Sequence, residues 1–180
     1  MRVLLVGGMR SGKSREAERR LAAAPAVTYI ASGGTDAADA EWTARVAAHR
    51  SRRPASWRTV ETREVAALLR AASVADAPIL WDCVNAWLAR TMGDVGCWTD
   101  DGVDRAAATR LAPAVDTLVD AWAQTAAEVI AVTNEVGMAL VPTTPSGRWF
   151  AEELGDLNRR LASDADEVWQ VTVGIATRLR

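Results

Sequence analysis

The sequence predicts an α/β domain, residues 1–180, in which helices flank a mostly parallel central sheet. Short apolar runs alternate with segments of helical periodicity, which is the pattern of parallel strands joined by crossover helices. The first apolar run also leads directly into a glycine-rich segment, Gly7–Ser14. In such domains ligands bind at the carboxyl ends of the strands, so the residues just past each predicted strand are the first candidates for a site.

Composition narrows the class of protein. Apolar residues make up 49% and charged residues 24% of the 180 residues, which is ordinary for a globular domain. The net charge of −2 argues against a nucleic-acid-binding protein. Cys83 and Cys97 have no paired spacing, which predicts reduced thiols in a cytoplasmic protein. No run approaches the ~18 apolar residues that a membrane-spanning helix needs.

The elements of the amino-terminal half follow from apolar runs and the residues that break them. Four apolar residues between Arg2 and the glycines predict a buried strand, and Pro25 stops the helix that follows. The predicted elements are strand Val3–Val6, helix Lys13–Ala24, strand Val27–Ala31, helix Asp36–Arg50, strand Ser56–Val60, helix Thr62–Ala72 and strand Pro78–Trp81.

The carboxyl-terminal half continues the alternation. Residues 93–102 are polar and glycine-rich, which predicts a loop, and Pro113 is a candidate kink in the helix after it. The predicted elements are helix Val84–Met92, helix Val103–Ala127, strand Glu128–Thr133, loop Asn134–Ser146, helix Gly147–Ala162 and a last strand, Val168–Val173. Four residues then lie just past a predicted strand: Gly7, Ser32, Asp82 and Asn134.

The strongest functional signal is the segment Gly7-Gly8-Met9-Arg10-Ser11-Gly12-Lys13-Ser14, which fits the pattern G-x-x-x-x-G-K-[ST]. Its backbone N–H groups and the helix N-terminus after it suit a polyphosphate such as that of ATP or GTP. Lys13 is predicted to reach the β- and γ-phosphate oxygens and Ser14 to ligate Mg²⁺. A glycine-rich turn without a ligand is the alternative, but a strand precedes the motif and a helix follows it, as in a P-loop domain of the RecA-like kind.

A second, acidic metal ligand is predicted at the end of a strand that neighbours the first one in the sheet. Asp82 follows Pro78–Trp81 and is placed to hold Mg²⁺ directly or through water. Aspartate is also a favoured N-cap, and Asp82 directly precedes the helix predicted over Val84–Met92. The two roles are compatible, and the sequence leaves both open.

The chain has one histidine, His49. Arginines at 50, 52 and 53 follow it and are suited to hold a triphosphate while a neutral imidazole attacks phosphorus. Neighbouring cations lower the pKa of an imidazole, which favours the unprotonated nucleophile. The alternative is a packing histidine, because His49 shares a predicted helix face with Trp42 and Val46, and the arginines are then a solvated helix end.

Further segments resemble the family of bifunctional adenosylcobinamide kinases and adenosylcobinamide-phosphate guanylyltransferases. They are collinear and span nearly the whole chain. They are Gly7–Arg15; Tyr29-Ile30-Ala31; His49-Arg50-x-x-Arg53-Pro54-x-x-Trp57-x-Thr59-x-Glu61; Asp82-Cys83; Thr133-Asn134-Glu135-Val136-Gly137-Met138 with Val141-Pro142; Leu157-Asn158-Arg159-x-Leu161-Ala162; and Ala165-Asp166-Glu167-Val168. The phosphate loop is generic, whereas H-R-x-x-R-P combined with T-N-E-V-G is specific. The chain departs from the family at Ala48, at Asp156 and in the loop from Thr143 to Gly147.

The resemblance implies two reactions on one corrinoid. The first phosphorylates the aminopropanol hydroxyl of adenosylcobinamide with ATP or GTP. The second transfers GMP from GTP to that phosphate and releases pyrophosphate. The resemblance also implies that His49 carries a covalent GMP and that the protein is a homotrimer. The implied nucleotide contacts are the phosphate loop, Ala31, Ser32, Gly33, Arg50, Ser51, Arg52, Arg53, Glu61 and Asp82.

Some roles stay open at the level of sequence. Glu61, Asp82 and Glu135 are candidate bases for the kinase step, and Glu135 is equally placed to cap the turn before Gly137. Three tryptophans are candidates either for an apolar corrin surface or for the core: Trp87, Trp98 and Trp149. The competing function is that of another small-molecule P-loop kinase, which uses the same loop without a covalent histidine.

Overall fold

The structure is a computed structural model, and it describes residues 1–34, 53–99, 102–138 and 140–180. Its strands are β1 (Arg2–Gly7), β2 (Thr28–Ala31), β3 (Arg58–Glu61), β4 (Ile79–Asp82), β5 (Trp98–Thr99), β6 (Gly102–Val103), β7 (Val129–Asn134), β8 (Glu167–Thr172) and β9 (Ile175–Arg178). Its helices are α1 (Lys13–Arg20), α2 (Val65–Ala71), α3 (Val84–Asp94), α4 (Ala108–Gln124) and α5 (Pro145–Asp164), with a 3₁₀ turn at Arg105–Ala107.

Seven strands form one sheet in the order β3-β2-β4-β7-β1-β8-β9. Every neighbouring pair is parallel except β8 with β9. The register aligns Gly7 at the end of β1 with Asn134 at the end of β7. The predicted class, a mostly parallel sheet flanked by helices, is confirmed. The loops after β1, β2, β4 and β7 therefore meet at one edge.

The two faces of the sheet pack against different helices. Alternate residues of a strand point to opposite faces, so Leu4 belongs to one core and its neighbours Val3 and Leu5 to the other. The larger core lies between the sheet and α2–α5, and the smaller one lies under α1. Within the described ranges, no helix combines the length and apolar character that a membrane crossing requires.

The prediction that residues 93–102 form only a loop was wrong. Trp98–Thr99 pairs with Gly102–Val103 as a short antiparallel ladder. The half-buried Trp98 packs edge-on against Trp149, with 6.3 Å between ring centroids, and this contact anchors the ladder. Two-residue strands are too short to show periodicity, so no local pattern reveals them.

The prediction that the strand at Val168–Val173 is the last one was also wrong. It runs over Glu167–Thr172, and a two-residue turn, Val173-Gly174, leads into β9. Both turn residues have positive φ, at 48° and 84°, as a type I′ hairpin turn requires. Such turns usually contain Asn-Gly or Asp-Gly, so Val-Gly is not recognisable as one from the sequence.

Helix boundaries differ from the predictions by a few residues. Helix α1 ends at Arg20 rather than Ala24, and α5 begins at Pro145, where the Thr144 hydroxyl accepts from the N–H of Gly147. Helix α4 continues through Pro113 to Gln124. The helix predicted over Asp36–Arg50 lies outside the described residues.

Candidate nucleotide site

The phosphate loop connects β1 to α1 and depends on glycine at two positions. A Cβ on Gly7 would lie 2.6 Å from Ser11 Oγ and closer still to the carbonyl oxygen of Val171, so only glycine fits. Gly12 has φ of +101° and its Cβ position lies 3.1 Å from Gly174 Cα. The loop therefore turns tightly and packs against the turn between β8 and β9, where Gly174 N–H donates to the Ser11 carbonyl at 2.8 Å.

Lys13 lies inside the loop. Its Nζ donates to the Gly8 carbonyl oxygen at 3.0 Å, and the side chain is buried. Burial lowers the pKa of Lys13, while the nearby Cys83 and Asp82 partly oppose that shift. The ammonium is thus held against the loop backbone, where it can contact a bound phosphate.

Asp82 is held by Tyr29. The Tyr29 hydroxyl donates to Asp82 Oδ2 at 2.9 Å, and burial, together with the Asp82 carboxylate, raises the pKa of Tyr29 well above its usual range. The guanidinium of Arg53 stacks on the Tyr29 ring at 3.6 Å and donates to Thr59 Oγ1 at 2.9 Å. The N-cap of α3 is Cys83, so the alternative of Asp82 as the cap was wrong.

Asp82 was expected at the end of a strand neighbouring β1, and the sheet order corrects this. Strand β7 lies between β1 and β4. Side chains on β7 rather than β4 therefore border the phosphate loop directly, and the N–H of Glu135 donates to the Gly7 carbonyl at 3.0 Å.

The ends of β2 and β4 are tied to each other. Ser32 Oγ donates to the Cys83 carbonyl and accepts from Trp81 Nε1, both at 3.0 Å. Arg90 on α3 donates to the Gly33 carbonyl at 2.9 Å. Ala31 therefore lies at the same sheet edge as Asp82. Glu61 pairs with Ala31 in register at the end of β3 and is exposed.

Hydrogen bonds to a side chain of α5 hold the end of β7 and the start of the segment after it. The Thr133 hydroxyl donates to Asn158 Oδ1 at 2.7 Å, and Asn158 Nδ2 donates to the Asn134 carbonyl at 2.9 Å. Glu135 Oε1 accepts from the N–H of Gly137 at 2.5 Å, so Glu135 caps its own turn. Of the two roles that the sequence left open for Glu135, a base in the kinase step or a cap for the turn before Gly137, this contact is the cap.

The residues proposed for magnesium fit that ion by their chemistry. A hydroxyl, on Ser14, and a carboxylate, on Asp82, are hard oxygen donors, which Mg²⁺ prefers. The described part of the chain contains no group of three or more His, Cys, Asp or Glu side chains able to hold a metal. A magnesium ion here would accordingly take its remaining ligands from water and nucleotide phosphate. Ser11 Oγ is buried without a hydrogen-bond partner in the described structure. Its hydroxyl is therefore able to donate a hydrogen bond to a phosphate oxygen.

Several predicted site residues cannot be placed. His49, Arg50, Ser51 and Arg52 lie outside the described residues. Both described cysteines are free, and burial raises the pKa of the Cys83 thiol to about 12, so it is protonated near neutral pH.

The tryptophans belong to the core. Trp87 and Trp149 are buried in the larger core, and the half-buried Trp98 packs against that core through Trp149. Tyr29 and Asn158 lie in segments that carry the family resemblance, but sequence reasoning gave neither residue a role in the site. The sequence pattern that could have indicated a role for Asn158 is a polar residue next to Leu157 on the apolar face of a helix.

Comparisons with known proteins agree with these observations. Residues 3–179 match the profile of the family described as cobinamide kinase / cobinamide phosphate guanyltransferase. The bifunctional adenosylcobalamin biosynthesis protein CobU of Salmonella typhimurium is 39% identical over 183 residues, covering 100% of both chains. CobP of Pseudomonas aeruginosa, with the same description, is 36% identical and covers 100% of this chain and 98% of its own.

Among solved structures, a prototypical ATPase from the type III secretion system of pathogenic bacteria superposes with a TM-score of 0.56 at 12% identity. The match covers 98% of this chain and 56% of that one. At this identity the likeness concerns the fold alone, and it agrees with a P-loop domain of the RecA-like kind.

Proposed function

The chain belongs to the cobinamide kinase / cobinamide phosphate guanyltransferase family, and from this membership we propose that it catalyses two consecutive transfers. The first phosphorylates adenosylcobinamide with ATP or GTP. The second transfers GMP from GTP to adenosylcobinamide phosphate, giving adenosylcobinamide-GDP and pyrophosphate. The observation that carries the proposal is the family match over residues 3–179, which spans both the phosphate loop and the segment around His49.

In the kinase step the loop positions the triphosphate and stabilises charge. Lys13 and the backbone N–H groups of the loop contact the phosphates, and Ser14 and Asp82 hold Mg²⁺, which neutralises charge on the phosphates when it is bound. The acceptor hydroxyl attacks the γ-phosphorus in line, the bond to the β-phosphate oxygen breaks, and the nucleoside diphosphate leaves. Positioning and electrostatics supply most of the catalysis, because this chemistry needs few other groups.

In the transferase step we propose that His49 is the nucleophile. Its imidazole nitrogen attacks the α-phosphorus of GTP, a P–N bond forms, and pyrophosphate departs toward Lys13 and the loop. The corrinoid phosphate then attacks the same phosphorus and releases the imidazole. Arg50 and Arg52, with Ser51, adjoin the histidine in the sequence and are proposed to hold the polyphosphate, as are Ala31–Gly33, Arg53 and Glu61.

The experiment is mass spectrometry of the intact protein after incubation with GTP and Mg²⁺. We expect the mass of one added GMP, with fragmentation placing it on His49, and its release when adenosylcobinamide phosphate is added. A protein that phosphorylates cobinamide but retains no label from α-labelled GTP after denaturation would be a P-loop kinase without the covalent histidine. That result would refute the transferase assignment and leave the kinase.

We also propose the homotrimer that the family resemblance implies. Light scattering of the purified protein measures this directly, with a mass of about three chains expected. A monomer mass at working concentration would contradict it.

A further inference from the structure

Exposed apolar side chains concentrate around the phosphate loop. Within the described ranges, the strongly exposed large apolar residues away from the loop are Met1, Val74 and Leu179. The others form what we call the apolar rim: Met9, Met138, Leu140, Val141, Val173 and Ile175. Soluble domains seldom expose contiguous apolar surface without using it for binding.

Backbone and side-chain contacts bring the segments of the apolar rim together. Gly174, beside Val173, donates from its N–H to the carbonyl of Ser11 in the phosphate loop. Gln170 Nε2 donates to Met138 Sδ at 3.5 Å, which links β8 to the segment after β7. That segment is in turn bonded to Gly7 through the N–H of Glu135. The three stretches of chain that carry these side chains are therefore joined to one another beside the phosphate loop.

Val173 is an unfavourable residue for its position. It has φ of 48°, a region that a β-branched side chain seldom adopts, and it is 84% exposed to solvent. Asparagine or glycine at this turn position would be less strained and better hydrated. A strained residue that is also exposed and apolar contributes little to the fold, and such strain concentrates at functional sites.

We propose that the apolar rim binds the corrin macrocycle of the acceptor and so delivers its hydroxyl or phosphate to the nucleotide. This rests on the proposed function. The reacting oxygen must come within about 3–3.5 Å of phosphorus, so the body of the acceptor must lie at the mouth of the loop. A methylated macrocycle has apolar faces that match these side chains. The tryptophans that were the other candidates for a corrin surface are in the core.

The test compares two matched valines. Val173→Asn removes an apolar rim side chain while relieving the strained turn. Val74→Asn alters a valine of nearly equal exposure, 83% against 84%, in the loop before β4. For Val173→Asn we expect the Kd for cobinamide, measured by calorimetry, to rise about 10-fold, with an unchanged Kd for ATP and a thermal midpoint that does not fall. Val74→Asn is expected to leave all three values unchanged.

A second variant tests whether weaker cobinamide binding arises from the apolar rim or only from a change in the turn. Leu140→Ser changes the most exposed residue of the apolar rim, at 95%, on a different segment, and should weaken cobinamide binding by a similar factor. Unchanged cobinamide affinity in both rim variants would overturn the proposal. So would a fall in oligomer mass with cobinamide affinity retained, because the rim would then be a contact between copies. Wild-type protein that binds no cobinamide would instead refute the proposed function itself.

Discussion

Tyr29 joins the arginine-rich segment to the proposed metal ligand. Its ring stacks against the guanidinium of Arg53, and its hydroxyl donates to the carboxylate of Asp82. One buried side chain therefore contacts both charged groups. The tyrosine is 3% exposed and hence has few alternative positions. We infer that Tyr29 orients the Asp82 carboxylate, in the way that hydrogen-bond partners behind metal ligands generally do.

Replacing Tyr29 by phenylalanine tests this role because it removes only the hydroxyl. We expect the Mg²⁺ concentration needed for half-maximal tightening of GTP binding to rise about 10-fold, since the carboxylate loses its orienting donor. The measurement is calorimetric titration of GTP at a series of Mg²⁺ concentrations. The Kd for GTP without Mg²⁺ serves as the control and should stay constant. Weakening of equal size with and without Mg²⁺ would show that the hydroxyl serves packing alone.

Substitution of His49 should separate the two proposed reactions. In His49→Ala, guanylyl transfer is expected to fall at least ~10³-fold because the nucleophile is lost, whereas phosphorylation of cobinamide should change little. Lys13→Ala is the companion variant and should impair both reactions, since both use the loop. Each half-reaction is measured separately with labelled nucleotide. Persistence in His49→Ala of a GMP adduct that is labile to acid and stable to base would contradict the assignment.

At the scale of elements, α5 holds the end of β7 through one amide side chain. Asn158 accepts from Thr133 and donates to the carbonyl of Asn134, so the helix determines where the strand ends. That strand lies between β1 and β4 and borders the phosphate loop. A buried side chain with both polar groups satisfied in this way specifies one geometry, because either bond left unmade is costly.

Asn158→Leu keeps the size of the side chain and removes both bonds. We expect the free energy of unfolding to fall by about 1–3 kcal/mol for each group left unsatisfied in the interior. Chemical denaturation measures this. Arg159→Leu, at the adjacent exposed position, is the control and should stay within about 0.5 kcal/mol of the parent protein. Equal effects for the two variants would contradict a specific role for the Asn158 amide.

The elements themselves were largely predictable, and the exceptions share a cause. Buried strands such as β1 and β7 are largely apolar runs, whereas α1 ends at Arg20, before the stop predicted from Pro25. The missed elements, the β5–β6 ladder and β9, are short and joined by turns without the usual turn residues. They form because Trp98 packs on Trp149 and because β9 pairs with β8, which are interactions between residues that no local window contains together.

For the molecule as a whole, the first strand is tied to the last part of the chain. Asp166 Oδ2 accepts from the backbone N–H of Arg2 at 2.6 Å, and Oδ1 accepts from the Arg2 guanidinium at 3.3 Å. The backbone bond to Arg2, followed by the bond from its side chain, lowers the pKa of Asp166. A carboxyl whose pKa is lower in the folded protein adds stability above its unfolded value, about 3.9, and that stability is lost as the pH falls through the folded value.

Asp166→Asn should therefore reduce stability in a pH-dependent way. We expect a lower thermal midpoint than that of the parent protein at pH 6, and a difference that shrinks as the pH is lowered below about 4, where the parent carboxyl becomes protonated. Melting curves from pH 3 to pH 7 measure this. Asp156→Asn is a suitable control, because Asp156 pairs with the exposed Arg159 one turn away within α5. A difference that stays constant over the whole range would contradict the charge-based explanation.

By itself the sequence determined the class of fold, the phosphate loop with Lys13 and Ser14, and the family through motifs spread along the chain. These are local properties, since an apolar run, a glycine at a tight turn or a motif needs only its neighbours in sequence. The tertiary structure decided that β7 separates β1 from β4, that Tyr29 holds Asp82, and that the turn containing the strained Val173 packs against the phosphate loop through Gly174. Those contacts depend on which strands pair and which helix covers them. The order of the strands depends on how the faces of the sheet pack against the helices, so it cannot be predicted from any single short segment of the sequence.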